Sequence, residues 1–169
     1  AIVGDGEDVG PAQSVVDEII ALGGEAVANT DSVATEDGGK SIIQSALDAF
    51  GRIDIVIHNA GNVRYGALDE ISFEDFKAVT DVHLMGAFHV VRASFPHMKA
   101  QNYGRFVMTG SIGGYYGNQR CVNYAVSKSA MIGLSNVISL EGQEHNIKSN
   151  VILPGAVTRM ADGLDTSLY

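Results

Sequence analysis

A tyrosine and a lysine stand four positions apart in the stretch NYAVSK, residues 123–128. On a helix, Tyr124 and Lys128 would lie within about 40° of one face, so both side chains would border the same cleft. A phenol is a poor base at neutral pH, and a fixed cation beside it favours the phenolate. The pair could therefore serve as a general acid and base. Taken alone, the spacing also fits an ordinary helical turn with a packed ring and a solvated amine.

Two further polar residues could complete such a site. Ser111 ends the apolar stretch GRFVMTGS (104–111), 13 residues before Tyr124. Its hydroxyl could donate to a substrate oxygen and stabilise developing charge. His83, within DVHLMGAF, could relay protons or could be a hydrogen-bonded interior group, and the sequence leaves both interpretations open.

Apolar strand-like runs alternate along the chain with longer helical patterns. Continuously apolar strands joined by helices are typical of a parallel sheet covered on both faces. Right-handed crossovers then give a three-layer, doubly wound α/β fold. We predict a single domain over residues 1–169, with strands at 1–3, 25–31, 53–61, 104–111 and 147–155 and helices at 11–24, 36–51, 72–101 and 122–145.

The helical pattern at 72–101 is the longest in the chain. Ser72 is its expected N-cap. Gly86 and Pro96 are its weak points, so the segment is predicted to form either one long helix or two in line.

Polar, glycine-rich segments follow the predicted strands. Because ligands bind beyond the carboxyl ends of parallel strands, these segments are the candidates for function. They are GDG (4–6), TDS (30–32), HNAG (58–61), TGSIGG (109–114) and PGAVT (154–158).

Four of these features, in this order, resemble the short-chain dehydrogenase/reductase family: NAG at 59–61, Ser111, the pair of Tyr124 and Lys128, and PG at 154–155. The resemblance covers nearly the whole chain and implies a Rossmann fold. It also implies that Tyr124 is the acid in carbonyl reduction and the base in alcohol oxidation, and that Lys128 binds the nicotinamide ribose as well. Most of the family has an asparagine where this chain has His83.

The resemblance also implies where a dinucleotide would bind. Asp5 fits the acidic residue that accepts hydrogen bonds from the adenosine ribose, and a carboxylate there repels a 2′-phosphate, which favours NAD over NADP. The remaining implied contacts are Asp31 and Ser32 at the adenine, Asn59, Ala60 and Gly61 along the cofactor, and Pro154, Gly155 and Thr158 near the nicotinamide. The family's usual threonine comes one position later, where this chain has Arg159.

Members of the family open with a strand and a T-G-x-x-x-G-x-G loop whose amides hold the pyrophosphate. This chain shows no such segment, so we expect the first strand and the glycine loop to be missing from it. Were the 169 residues complete, cofactor binding would be badly compromised.

Within the family, stretches such as GGEAVANTDSV and GAVTRM look like the (3R)-hydroxyacyl-CoA dehydrogenase domains of multifunctional β-oxidation enzymes and their bacterial relatives. A 3-hydroxyacyl-CoA or a similar secondary alcohol is therefore the implied substrate. The alternatives are a 3-oxoacyl-carrier-protein reductase, a sugar or steroid dehydrogenase, or a non-catalytic member that acts through association.

Composition limits the other classes. The net charge is −9 and the 11 Lys and Arg are scattered, which argues against nucleic-acid binding. Cys121 is the single cysteine, so we predict no disulfide, no structural metal and a cytoplasmic location. No apolar run approaches the roughly 18 to 20 residues that span a bilayer. The family resemblance implies a homodimer or homotetramer through the helices at 73–100 and 122–143, where small residues would permit close packing: Gly86, Ala87, Ala93, Ala125, Ala130 and Gly133.

Overall fold

The computed structural model describes residues 10–155 of the chain. The helices are α1 (Gly10–Ala21), α2 (Glu36–Phe50), α3 (Phe73–Thr80), α4 (Gly86–Gln101), α5 (Ile112–Tyr116) and α6 (Val122–Gly142). The strands are β1 (Ile55–His58), β2 (Gly104–Thr109) and β3 (Ile147–Ile152). The predictions for residues 1–3, Asp5 and Thr158 lie outside the described residues.

The strands form a parallel sheet in the order β1-β2-β3. Val56 pairs with Phe106, which pairs in turn with Ser149, so these side chains share one face. That face carries the apolar core, because α4 and α6 pack against it. Within residues 10–155 the opposite face of β1 carries Ile55 and Ile57, which are 56% and 64% exposed. The predicted α/β class with a parallel sheet is confirmed.

The strand predicted at 25–31 is not found within the described residues, where this segment joins no ladder. Its polar side chains bind locally and to α2 instead. Asn29 donates to Ser45 Oγ at 2.8 Å and to the Asp31 carboxylate at 3.1 Å, and its own Oδ1 accepts from the Asp31 amide. Of these bonds, the one from the Asp31 amide satisfies a backbone group of the segment locally.

The segment predicted as one long helix or two in line is continuous, with a change of pitch at its centre. Ser72 caps α3 as expected, since its hydroxyl accepts from the Asp75 amide at 3.0 Å. Residues Asp81–Met85 form a π-helical turn, in which the Gly86 amide donates to Asp81 O, five positions back. The irregularity therefore precedes Gly86, and α4 continues through Pro96.

Glycine at position 86 has a packing role rather than a helix-breaking one. A Cβ built on Gly86 would lie 2.8 Å from Val33 Cγ2, so only a glycine lets α4 approach the 30–35 loop this closely.

The strands β1 and β3 and the helix α6 end earlier than the sequence predicts. The helix α5 was not predicted.

Candidate active site

Tyr124 and Lys128 lie on the same side of α6, as their spacing predicts. Lys128 Nζ is 5.6 Å from the centre of the Tyr124 ring. Both residues fall within the first two turns of the helix, which starts at Val122. This part of α6 lies beside the carboxyl end of β2, because Lys128 reaches the last residue of that strand, Thr109.

The ammonium group of Lys128 is buried and held in place. The residue is 5% exposed, and Nζ donates to the carbonyl oxygen of Thr109 at 2.7 Å. Burial lowers the pKa of Lys128 from 10.5 to about 8, so the group is still a cation at neutral pH. An ammonium has three N–H bonds, and Thr109 takes one of them. The others are suited to hydroxyl oxygens of a ligand.

Ser111 lies between the end of β2 and the start of α5. It is the N-cap of that helix, and its hydroxyl accepts from the Gly113 amide at 3.1 Å. Because the hydroxyl uses a lone pair for this bond, its proton remains available for an oxygen acceptor. The helix packs closely on α6, since a Cβ at Gly114 would lie 2.7 Å from Lys128 Cβ. The predicted trio therefore meets at the carboxyl end of β2.

His83 lies in the π-helical turn and is almost fully buried. Its ring meets the Tyr124 ring edge to face, with centres 5.3 Å apart. Nε2 is 3.1 Å from the Asn62 amide nitrogen and 2.8 Å from the Asn62 carbonyl oxygen, so the backbone of that residue accommodates either neutral tautomer. Nδ1 is buried and makes no hydrogen bond within the described residues.

The two interpretations of His83 are thus both compatible with its contacts. One ring nitrogen is bound as in an interior histidine, and the other is available to a proton donor or acceptor. Burial, followed by the charge of Lys128, lowers the pKa of His83 to about 4, so the ring is neutral at pH 7.

Two buried residues that support the site were not predicted from the sequence. His58, the first residue of HNAG, has its Nε2 3.0 Å from the carbonyl oxygen of His83. Asn123, which directly precedes Tyr124, is fully buried and donates to the carbonyl oxygens of Arg64 and Asp75 at 3.1 and 3.3 Å. His58 begins the HNAG segment and Asn123 begins NYAVSK, and in both segments only later residues were predicted to have a role.

The residues predicted to line a cofactor divide into two groups. Asn59, Ala60 and Gly61 follow β1, and Asn59 Oδ1 accepts from the Thr109 hydroxyl at 3.3 Å, which ties them to the Lys128 region. A Cβ at Gly61 would lie 2.5 Å from His83 Cε1, so this turn touches the histidine. Pro154 and Gly155 follow β3 at the same edge of the sheet.

Asp31 and Ser32 lie apart from these contacts, before α2. The exposed Asp31 carboxylate accepts from the hydroxyl of Ser41, and this bond, with a second from Asn29, lowers its pKa. The Ser32 hydroxyl accepts from the Ala34 amide. Within residues 10–155, His, Cys, Asp and Glu side chains form no cluster of three or more that could hold a metal ion.

Comparisons with known proteins agree with this arrangement. A sequence model of the family described as short chain dehydrogenase matches residues 2–167. Peroxisomal multifunctional enzyme type 2 of Drosophila melanogaster is 48% identical over 161 residues, and a putative short-chain type dehydrogenase/reductase of Mycobacterium tuberculosis is 47% identical over 161 residues. A 3-oxoacyl-[acyl-carrier-protein] reductase of Synechocystis is 36% identical over 155 residues.

These three matches cover 95%, 95% and 91% of this chain, but only 26%, 56% and 63% of the relatives' own lengths. Among solved structures, NAD+-bound xylitol dehydrogenase superimposes with a TM-score of 0.86 at 30% identity, covering 91% of this chain and 60% of that one.

The parallel sheet and the pair of Tyr124 and buried Lys128 at its carboxyl edge define a Rossmann-type α/β protein. The chain belongs to the short chain dehydrogenase family. The family and fold class predicted from the sequence are thereby confirmed.

Proposed function

We propose that the protein is an NAD(H)-dependent oxidoreductase that interconverts a secondary alcohol and a ketone by hydride transfer. The observation that carries the proposal is the buried cation of Lys128, 5.6 Å from the centre of the Tyr124 ring. A cation held in a site of low dielectric stabilises a neighbouring anion more strongly than it would in water. This is the environment in which a phenol can act as a base near neutral pH.

In alcohol oxidation, Lys128 stabilises the phenolate form of Tyr124. The phenolate then takes the hydroxyl proton of the substrate. Ser111 donates to the substrate oxygen, which holds the carbinol carbon in place. A bound NAD would supply the acceptor for the hydride that leaves that carbon. In ketone reduction Tyr124 returns the proton to the oxygen, as microscopic reversibility requires. His83 Nδ1 is the group in the same site that could exchange this proton onward.

The described residues fit the nicotinamide end of a dinucleotide. Lys128 has N–H bonds beyond the one to Thr109 and would bind ribose hydroxyls. Asn59, Ala60 and Gly61 would line the cofactor, with Pro154 and Gly155 at the nicotinamide. Asp31 and Ser32 would contact the adenine, since Asp31 is exposed and anionic.

Asp5 and Thr158, which lie outside the described residues, would complete this set. The preference for NAD over NADP rests on Asp5, and it is supported by the similarity to NAD+-bound xylitol dehydrogenase.

A 3-hydroxyacyl-CoA is the substrate that we propose, supported by the 48% identity to peroxisomal multifunctional enzyme type 2. The second candidate is a 3-oxoacyl-carrier-protein reductase, which the Synechocystis relative favours. Activity of the full encoded protein on 3-hydroxyacyl-CoA, 3-oxoacyl-carrier protein, sugar and steroid substrates, each with NAD(H) and NADP(H), would separate these possibilities.

The mechanism is tested by Tyr124→Phe, which removes the reacting hydroxyl and keeps the ring. We expect a loss of at least about a hundredfold in kcat. Tyr103→Phe is the matched control, because Tyr103 lies at the amino end of β2 and its ring stacks on Arg105 instead. Retention of most activity in Tyr124→Phe would overturn the mechanism.

A non-catalytic member of the family is the alternative from another class. Calorimetric titration of the full encoded protein with NADH distinguishes the two. Absence of NADH binding, together with absence of turnover on the whole panel, would favour the non-catalytic alternative.

We propose that the helices at 73–100 and 122–143 form the contact of a homodimer or homotetramer. Exposed apolar side chains support this, among them Phe88 on α4 and Val137 and Leu140 on α6. Of the small residues, Ala87 is buried in the core, whereas Gly133 is exposed with open space around it.

The oligomeric state can be tested by light scattering of Leu140→Glu. We expect a smaller assembly for this variant. Leu68→Glu is the control, because Leu68 is an exposed leucine outside the two helices. Equal masses for both variants and the parent would contradict the proposed contact.

The cytoplasmic location stays a prediction, since several relatives are named peroxisomal. Among the helices of residues 10–155, none has the length and apolar character needed to cross a membrane.

A further inference from the structure

His58 is a buried titratable side chain to which the proposed mechanism gives no role. It is the last residue of β1, is almost fully buried, and points to the face of the sheet on which α4 packs. A buried imidazole without a purpose would be costly, because each of its polar atoms needs a partner. The structure shows one such partner for Nε2, the carbonyl oxygen of His83 at 3.0 Å.

This contact fixes the tautomer of His58. A carbonyl oxygen only accepts hydrogen bonds, so Nε2 must carry the proton and donate. Burial lowers the pKa of His58 to about 4, which keeps the ring neutral at pH 7. His58 therefore donates one hydrogen bond, from Nε2–H, to the backbone of the π-helical turn.

The carbonyl that receives this bond lies in an unusual backbone. Residues Asp81–Met85 form a π-helical turn, and such turns depart from the regular α-helical hydrogen-bond pattern. A side-chain donor from β1 therefore stabilises the backbone at the residue whose ring meets Tyr124 at 5.3 Å. His83 thus contacts both His58, through its carbonyl oxygen, and the phenol ring of Tyr124, through its imidazole.

We propose that His58 is a positioning residue, whose Nε2–H holds the His83 carbonyl in the π-helical turn and thereby sets the His83 ring against Tyr124. The inference rests on the proposed function, in which Tyr124 transfers the proton. Its effect should fall on the chemical step rather than on cofactor or substrate binding, because the side-chain hydrogen bond of His58 goes to His83.

The test compares two variants of similar length in the full encoded protein. His58→Gln keeps an N–H donor the same number of bonds from Cβ, and His58→Met fills similar space without a donor. We expect His58→Met to lower kcat about tenfold, the effect of one lost buried hydrogen bond, with KM and the dissociation constant of NADH changed less than about twofold. His58→Gln should recover most of the rate.

A double-mutant cycle shows whether the effect passes through His83. In a His83→Asn background, His58→Met should have little further effect on kcat, since the ring it positions is gone. Equal losses in His58→Gln and His58→Met, or an undiminished loss in the His83→Asn background, would overturn the proposal. A rise in KM with kcat unchanged would overturn it as well.

A second measurement is independent of turnover. Nitrogen NMR of the histidine rings reports the tautomer and surroundings of His83 directly. We expect its ring signals to shift or broaden in His58→Met and to stay close to the parent in His58→Gln. Unchanged signals in His58→Met would refute the contact. Absence of turnover in the parent protein would instead count against the proposed function.

Discussion

The imidazole of His83 meets the phenol ring of Tyr124 edge to face, with planes inclined at 85° and centres 5.3 Å apart. The two rings come from different helical segments, the π-helical turn and α6. Aromatic pairs prefer this arrangement and gain about 0.5–1.5 kcal/mol from it. The contact helps to orient the ring of the proposed acid–base residue, so the groups that position His83 are relevant to the chemistry.

Replacing the buried cation should make the fold more stable and the enzyme less active. The folded-state pKa of Lys128 is about 8, below its ordinary 10.5, so the charged form is penalised in the folded state by about 3 kcal/mol at neutral pH. The penalty is full below pH 8 and is relieved as the pH rises from 8 to 10.5. Lys128→Met should therefore raise the free energy of unfolding at pH 7 while lowering kcat and NADH affinity by at least about tenfold.

Chemical denaturation of the parent and Lys128→Met at pH 7 and at pH 10 measures this directly. The gain from the substitution should shrink at the higher pH. Lys99→Met on exposed α4 surface is the control, and a destabilised Lys128→Met at both pH values would contradict the expectation.

The protein should lose stability in mild acid. His58 and His83 each have a pKa lowered to about 4, whereas the unfolded chain binds these protons near pH 6.5. Their contribution is complete above pH 6.5 and is lost as the pH falls towards 4, at a cost of the order of 3 kcal/mol for each residue. Thermal melts between pH 7.5 and 4.5 should show a steep fall in the melting temperature.

The slope of this fall should lessen in His58→Gln, because one group no longer titrates. The exposed His97 provides the control, since His97→Gln should retain the slope of the parent protein. Parallel curves for all three proteins would argue against buried neutral histidines.

Two glycines should respond in opposite ways to alanine. At Gly61 the new methyl group would lie 2.5 Å from the His83 ring, so the ring must move. We expect Gly61→Ala to cost about 1–3 kcal/mol of stability and to lower kcat. Gly133 is exposed in the middle of α6 with nothing within 4 Å, so Gly133→Ala should raise stability by about 0.5–1 kcal/mol. Denaturant melts and steady-state rates of both variants test the pair, and a Gly61→Ala variant with normal rates would be inconsistent with the contact.

Asn123 should prove essential for the position of Tyr124. Its amide group joins the start of α6 to Arg64 O and Asp75 O, and Asn123→Ala would remove both hydrogen bonds. We expect a loss of about 2 kcal/mol in the free energy of unfolding and a lower kcat. The exposed Asn118 gives the control, and comparable stability of Asn118→Ala and Asn123→Ala would show that the buried contacts contribute little.

The sequence predicted those features that a local pattern determines. The spacing of Tyr124 and Lys128, the Ser72 cap and the parallel order of the apolar strands all follow from short-range periodicity. At 25–31 the sequence predicted a strand, whereas Asn29 and Asp31 bind α2 through contacts between residues 10 to 16 positions apart, which no alternating pattern reveals.

The supporting residues were missed for a related reason. His58 and His83 are separated by 25 positions, and only the fold brings the imidazole to the carbonyl. Nor did the DVHLMGAF stretch predict the wider turn, because π-helical turns are rare within α-helices. A polar residue inside an apolar strand, as His58 is, was the available clue.

The wider turn at Asp81–Met85 also sets the phase between the two halves of the segment that it joins. Each residue advances an α-helix by about 100°, so one residue more in a single turn rotates everything that follows by that angle. Val79 is buried on α3, which packs on α6, and Ala87 is buried on α4 in the core under the sheet. If one residue were deleted from the turn, Val79 and Ala87 could not both keep their buried positions. The turn therefore allows α3 and α4 to bury their apolar sides at the same time.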